Sequence, residues 1–180
     1  MSYEHKAFIF DIDGFGRELK PLLERCLLSG EVDQLRDFII SNKRSLVDPY
    51  EGVALDDSWE DMIEINDVHQ YGDFALTKYY SPADDRGLGS WWSIIQELLS
   101  DKDKLSSSPF LGVPIGSEDV FFDPGKMGSY FQSENEVGVS LSKVLEIEEK
   151  VPYDALEVLR EFKRMLEQAI DENKGVYVTF

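Results

Sequence analysis

Residues 6–13 (KAFIFDID), closed by Gly14, and residues 176–180 (VYVTF) decide the fold. Each is a short apolar run beside a glycine, the pattern of a buried strand. Buried backbone groups must find partners, and two terminal runs satisfy one another by pairing in one sheet. Working inward, Leu19, Leu22, Leu23, Cys26 and Leu27 recur at helical spacing. Pro21 is tolerated only in a first turn, so this helix is expected to start near Arg17–Lys20 and to stop at Gly30. A short helix with Leu35, Phe38 and Ile39 follows. Residues 75–80 (ALTKYY) read as a strand ended by Ser81-Pro82. Ser90 is the expected N-cap of a helix running to about Ser100, with Trp92, Ile95, Leu98 and Leu99 inward. Residues 120–122 and 129–132 read as short extended segments. Ser133-Glu134-Asn135-Glu136 has the capping-box form, and Val137, Leu141, Val144 and Leu145 follow on one helix face. A longer helix after Pro152 carries Ala155, Leu159, Phe162, Leu166 and Ala169 and closes at Lys174-Gly175. The expected architecture is a single α/β domain over residues 1–180, a small mixed β-sheet flanked by helices in a layered sandwich.

Composition agrees with one folded globule. The chain has 180 residues, 42% hydrophobic and 12% aromatic, unlike a disordered acidic tail. No apolar run approaches the ~20 residues that span a bilayer. The first ten residues show no apolar signal core, which argues against export by that route and makes the cytoplasm the expected location. One cysteine, Cys26, excludes an intrachain disulfide and a cysteine-cluster zinc site, and its place on an apolar helix face marks it as packing. With 18 basic and 36 acidic residues the net charge is −18, which argues against nucleic acid and anionic membrane as partners. No internal repeat is visible, residues 106–109 (SSSP) read as a loop, and nothing sets an oligomeric state.

Half of that charge is concentrated. The 33 residues from Ser45 to Thr77 contain no Lys or Arg and nine acids: Asp48, Glu51, Asp56, Asp57, Glu60, Asp61, Glu64, Asp67 and Asp73. A solvated face is one reading. A docking surface for a basic protein, centred on Asp56, Asp57, Glu60, Asp61 and Glu64, is the other. The acids lack the spacing of an EF-hand loop, so no metal and no cofactor is expected. Trp91 and Trp92 lie about 100° apart on their helix, so one of them is free to cover a groove or partner site, and Trp91 is taken as that residue.

The string Phe8-Ile9-Phe10-Asp11-Ile12-Asp13-Gly14 resembles the first motif of haloacid dehalogenase-like phosphohydrolases. The resemblance implies Asp11 as nucleophile and Asp13 as acid/base, both on one face of a strand. Later elements of that family would fall at Ser41 and at Asp56-Asp57. The gap between Ser41 and Asp56 is too short for the βαβ crossover the fold needs, and Phe15 stands where the family usually has Thr or Val. His69, between Asp67 and Asp73, is a second candidate centre, a general base oriented by a carboxylate, against the plainer reading of a surface-loop histidine. His5 falls in an expected flexible start. Gly87-Leu88-Gly89-Ser90 lacks the Lys of a P-loop and reads as a tight turn.

Residues 90–100 (SWWSIIQELLS), 110–119 (FLGVPIGSED) and 129–137 (SYFQSENEV) occur in an order that resembles the YfbM-like family of small bacterial proteins. The resemblance covers the C-terminal half. It departs at residues 123–128 (DPGKMG), where that family usually has a YGPAR-like turn, and it lacks the family's long segment between the last two helices. It implies a layered α/β fold and no particular reaction. Small size, acidity and the missing catalytic constellation point to a non-enzymatic, protein-binding or toxin-neutralising immunity-type module docking on a basic partner. The alternative is a hydrolase using Asp11 and Asp13, or one built around His69 and Asp73.

Overall fold

A computed structural model describes residues 3–99 and 109–180. Three strands, β1 (Lys6–Phe10), β2 (Ser129–Gln132) and β3 (Gly175–Thr179), form one sheet in the order β1-β3-β2. The terminal runs pair as expected, Phe8 opposite Tyr177 and Phe131 on Tyr177's other side. The α/β class and the flanking helices hold. Both pairings are antiparallel, so the sheet is not of mixed direction.

Strand alternation splits the core into two layers. Phe8, Phe10, Phe131 and Tyr177 face one side. There α1 (Ile12–Glu18), α2 (Lys20–Ser29), α3 (Asp33–Asn42) and α4 (Val68–Leu76) bring Phe15, Leu19, Leu23, Leu35, Ile39 and Phe74. Ala7, Val176 and Val178 face the other side, against α5 (Trp92–Glu97), α6 (Glu134–Ile147) and α7 (Tyr153–Asp171). Cys26 is buried in the first layer, as its place on the helix predicts. In α6 the capping box forms as read: Ser133 accepts from the Glu136 N–H, and Glu136 accepts from the Ser133 N–H.

Several elements differ from the sequence expectation, each for a local reason. The helix expected from Arg17–Lys20 to Gly30 forms as α2, but an unexpected short helix, α1, precedes it from Ile12, where Asp11 caps it by accepting the Gly14 N–H at 3.1 Å. Pro21 does occupy a first turn, that of α2, which abuts α1 at Leu19. Residues 75–80 are not a strand. Asp67 caps α4 through the His69 and Gln70 N–H groups, and the helix runs to Leu76 before turning. Of residues 120–122, only Phe121 pairs, in a single bridge to Gly116 across a tight turn. Helix α5 begins at Trp92 without a cap from Ser90 and ends at Glu97, short of the expected end near Ser100, while residues 106–108 of the expected loop lie outside the described residues. At the end of α7 the left-handed residue is Asn173 (φ 53°), and Gly175 already belongs to β3. There a Cβ would come within 2.2 Å of the Gln132 carbonyl oxygen, so close strand approach explains that glycine.

His5 is not in a flexible start. It is fully buried, stacked on Trp92 at 4.9 Å between ring centres. Its Nδ1 accepts the Leu88 N–H at 3.1 Å, which places the proton on Nε2, 3.3 Å from the Phe110 carbonyl oxygen. Burial pulls its pKa down to about 4. The Gly87–Gly89 turn does deliver α5, and it does so by pairing Gly89 with His5.

Candidate functional site

The structure separates Asp11 from Asp13. Asp11 follows β1 and is committed to the α1 cap, while Asp13 is exposed in the first turn of that helix. Two carboxylates alternating along one strand, which the phosphohydrolase motif requires, are therefore not present. His69 lies on α4, not in a loop. Its Nδ1 accepts the Asp123 N–H at 3.1 Å, and its ring stacks on Phe122. Those contacts tie it to the 121–123 turn, and it makes no hydrogen bond to Asp73.

The nine acids of residues 45–77 divide by role. Asp48 is buried and its Oδ1 accepts the Tyr50 and Glu51 N–H groups at 2.7 and 3.0 Å. Asp67 is the α4 cap. Asp73 is buried. Glu60 accepts from Arg36 Nε at 2.5 Å and from the Tyr71 hydroxyl at 2.7 Å. Arg36, then Tyr71, hold its carboxyl below the usual range, while burial and then Glu60 push the Tyr71 phenol up to about 12. Lys43 pairs with Asp57, and Asp56 is held low by the Ser58 hydroxyl and amide. Cations absent from the run are thus supplied by α3 and the turn after it, so the nine charges are not a single unrelieved cluster.

What remains exposed is a surface of Glu51, Asp56, Asp57, Asp61 and Glu64. Apolar side chains stand among these acids, Val53, Met62 and Ile65 being 54%, 60% and 92% exposed. Trp59 anchors the segment from below in the first core layer. Trp91 does not join it. That residue is half-buried against the second layer, across the sheet.

A separate cleft of about 280 Å³ opens beside the sheet edge. Phe8 from β1, Tyr177 from β3 and Tyr80 from the turn after α4 form its aromatic floor, with Phe8–Tyr80 and Tyr80–Tyr177 ring centres 4.9 and 5.1 Å apart. Asp73 of α4 lines it, Tyr50 stands at the rim, and exposed Lys6 and Asp85 line the mouth. Asp73 is 8% exposed as a residue, and its carboxyl makes no hydrogen bond or ion pair among the described residues. Burial, and next the charge of Asp48, push its pKa up to about 7. Burial also raises the phenols of Tyr50, Tyr80 and Tyr177, with Asp73 adding to each. The Tyr177 hydroxyl lies 3.2 Å from Ser129 Oγ. A carboxyl titrating near neutrality in such a cleft can exchange a proton or hold a cation.

Sequence reasoning singles out Asp73 only as a companion of His69 and misses the tyrosines entirely. The available signal is a phenol in the middle of the apolar run VYVTF and a Tyr-Tyr pair directly after a helix. Among the described residues no group of three or more His, Cys, Asp or Glu side chains is placed to hold a metal ion, and no helix is long and apolar enough to cross a membrane. No family model matches the chain, and no curated protein or solved structure matches it.

Proposed function

We propose that this protein is a non-enzymatic binding module, of the toxin-neutralising type, that docks a basic protein through the surface at residues 51–65. One observation carries the reading: Met62 and Ile65 stand 60% and 92% exposed among exposed Asp56, Asp57, Asp61 and Glu64. Apolar side chains inside an acidic surround match the anatomy of an interface, with an apolar centre to hold and a charged rim to steer. A net charge of −18 makes a basic protein the complementary partner. The YfbM-like resemblance of residues 90–100, 110–119 and 129–137 is proposed alongside, and it brings no reaction with it.

The test is capture of the partner from the source organism, followed by association kinetics against salt. A variant with Asp56, Asp57, Asp61 and Glu64 changed to their amides should associate more slowly. Glu60 is left intact because it holds Arg36 and Tyr71. Ile65→Ser should instead speed dissociation, because exposed charge governs encounter and buried apolar contact governs residence. An acidic or neutral partner, or binding indifferent to salt and to both variants, would end this reading.

A further inference from the structure

The Asp73 cleft poses a problem of its own. A carboxyl nine-tenths buried without a partner is costly to ionise. Its ionisable surroundings are mostly acids and phenols, with Lys6 the one cation among the residues that line the cleft. Asp48 is near enough to act on its charge, and Asp73 in turn acts on Tyr50, Tyr80 and Tyr177, which line the cleft with it. Asp67 acts on Tyr50 and Asp123 on Tyr177 from further out. Lys6 lines the mouth but forms no ion pair with Asp73, and Asp85 lines the mouth with it.

We propose that this cleft is a binding site for an alkylammonium group, with Asp73 as counter-ion and the rings of Phe8, Tyr80 and Tyr177 as its walls. Ring faces carry negative potential and attract cations, most strongly where water is excluded. The raised phenols stay protonated, so they add no competing anions. An anionic ligand meets the carboxyls of Asp73 and Asp85, and a neutral one gains from Asp73 a hydrogen bond but no ion pair. The volume of about 280 Å³ is that of roughly nine waters, enough for an ammonium on a short aliphatic chain. The inference is independent of the docking surface at 51–65 and stands or falls without it. The same chemistry has two sources, a free amine or a lysine side chain.

Binding the cation favours ionised Asp73, so below about pH 7 it must expel a proton. Calorimetry and amide NMR on the full chain test this with n-pentylammonium, its neutral analogue n-pentanol, and Nα-acetyl-lysine methylamide. The alkylammonium should shift the Asp73 and Tyr177 amides and bind about tenfold tighter per pH unit up to about pH 7, with pentanol at least about tenfold weaker. At pH 6 the heat should depend on the buffer's ionisation enthalpy, reporting release of close to one proton. Binding of both amines assigns the cleft to a side chain or a free amine alike, and binding of n-pentylammonium alone assigns it to a free amine. Pentanol binding as tightly, affinity flat with pH, or no amine binding overturns the proposal. Asp73→Asn should abolish the difference between amine and alcohol, and unchanged amine binding by that variant overturns it too. The wild-type measurements decide the matter even if the variant misfolds.

Discussion

Replacing Asp73 by Asn probes the cleft through stability alone. In the unfolded chain this carboxyl titrates near its ordinary 3.8, and in the folded protein at about 7. The folded state therefore binds the extra proton between those values, and wild-type stability falls as pH rises from about 4 to about 7. Above about 7 the loss is complete. Between pH 5 and pH 8 it spans about two pK units at ~1.36 kcal/mol each, or roughly 3 kcal/mol. Asn keeps the shape of the neutral carboxyl and cannot ionise, so the variant escapes this loss. Urea unfolding of both proteins at pH 5 and pH 8 isolates the effect, because every other titrating group, His5 included, cancels in the difference. The variant's advantage over wild type should grow by about 3 kcal/mol from the lower to the higher pH. A difference that changes by less than about 1 kcal/mol, or shrinks, would show that Asp73 is well solvated or paired, and would remove the basis for treating it as an unpaired buried carboxyl.

Two further outcomes follow from the N-terminal half. Asp11→Ala should cost about 1 kcal/mol through loss of the α1 cap, and neither it nor the wild type should hydrolyse an aryl phosphate with magnesium; wild-type hydrolysis that the change abolishes would restore Asp11 as a nucleophile. His5, lowered to about 4 against 6.5 unfolded, contributes stability that is fully present above about 6.5 and lost as pH falls toward 4, up to about 3 kcal/mol. Its ring proton shifts in NMR should titrate near 4, and a midpoint near 6.5 would place the ring in water.

The sequence by itself determined the parts of this protein that depend on near neighbours. Short apolar runs beside glycines located β1 and β3, and a period of 3.6 located α2, α6 and α7, because burying one face of a helix demands that interval. The capping box at Ser133 was legible because its two bonds lie within four residues. Helix α4 was not, since it is short, most of its side chains are buried, and a run of acids hid it. Only the tertiary structure decided what those acids do. Asp48 and Asp67 turn inward to cap backbone, Arg36 and Lys43 arrive from α3 and its following turn, and Asp57, Asp61 and Glu64 stay in water. The cleft was equally hidden. Phe8, Asp73 and Tyr177 are separated by up to 169 positions and meet because the chain ends pair across β1 and β3 while α4 packs on that face. Charge and burial act through space, and a linear pattern records only the distances that one helix or one strand can span.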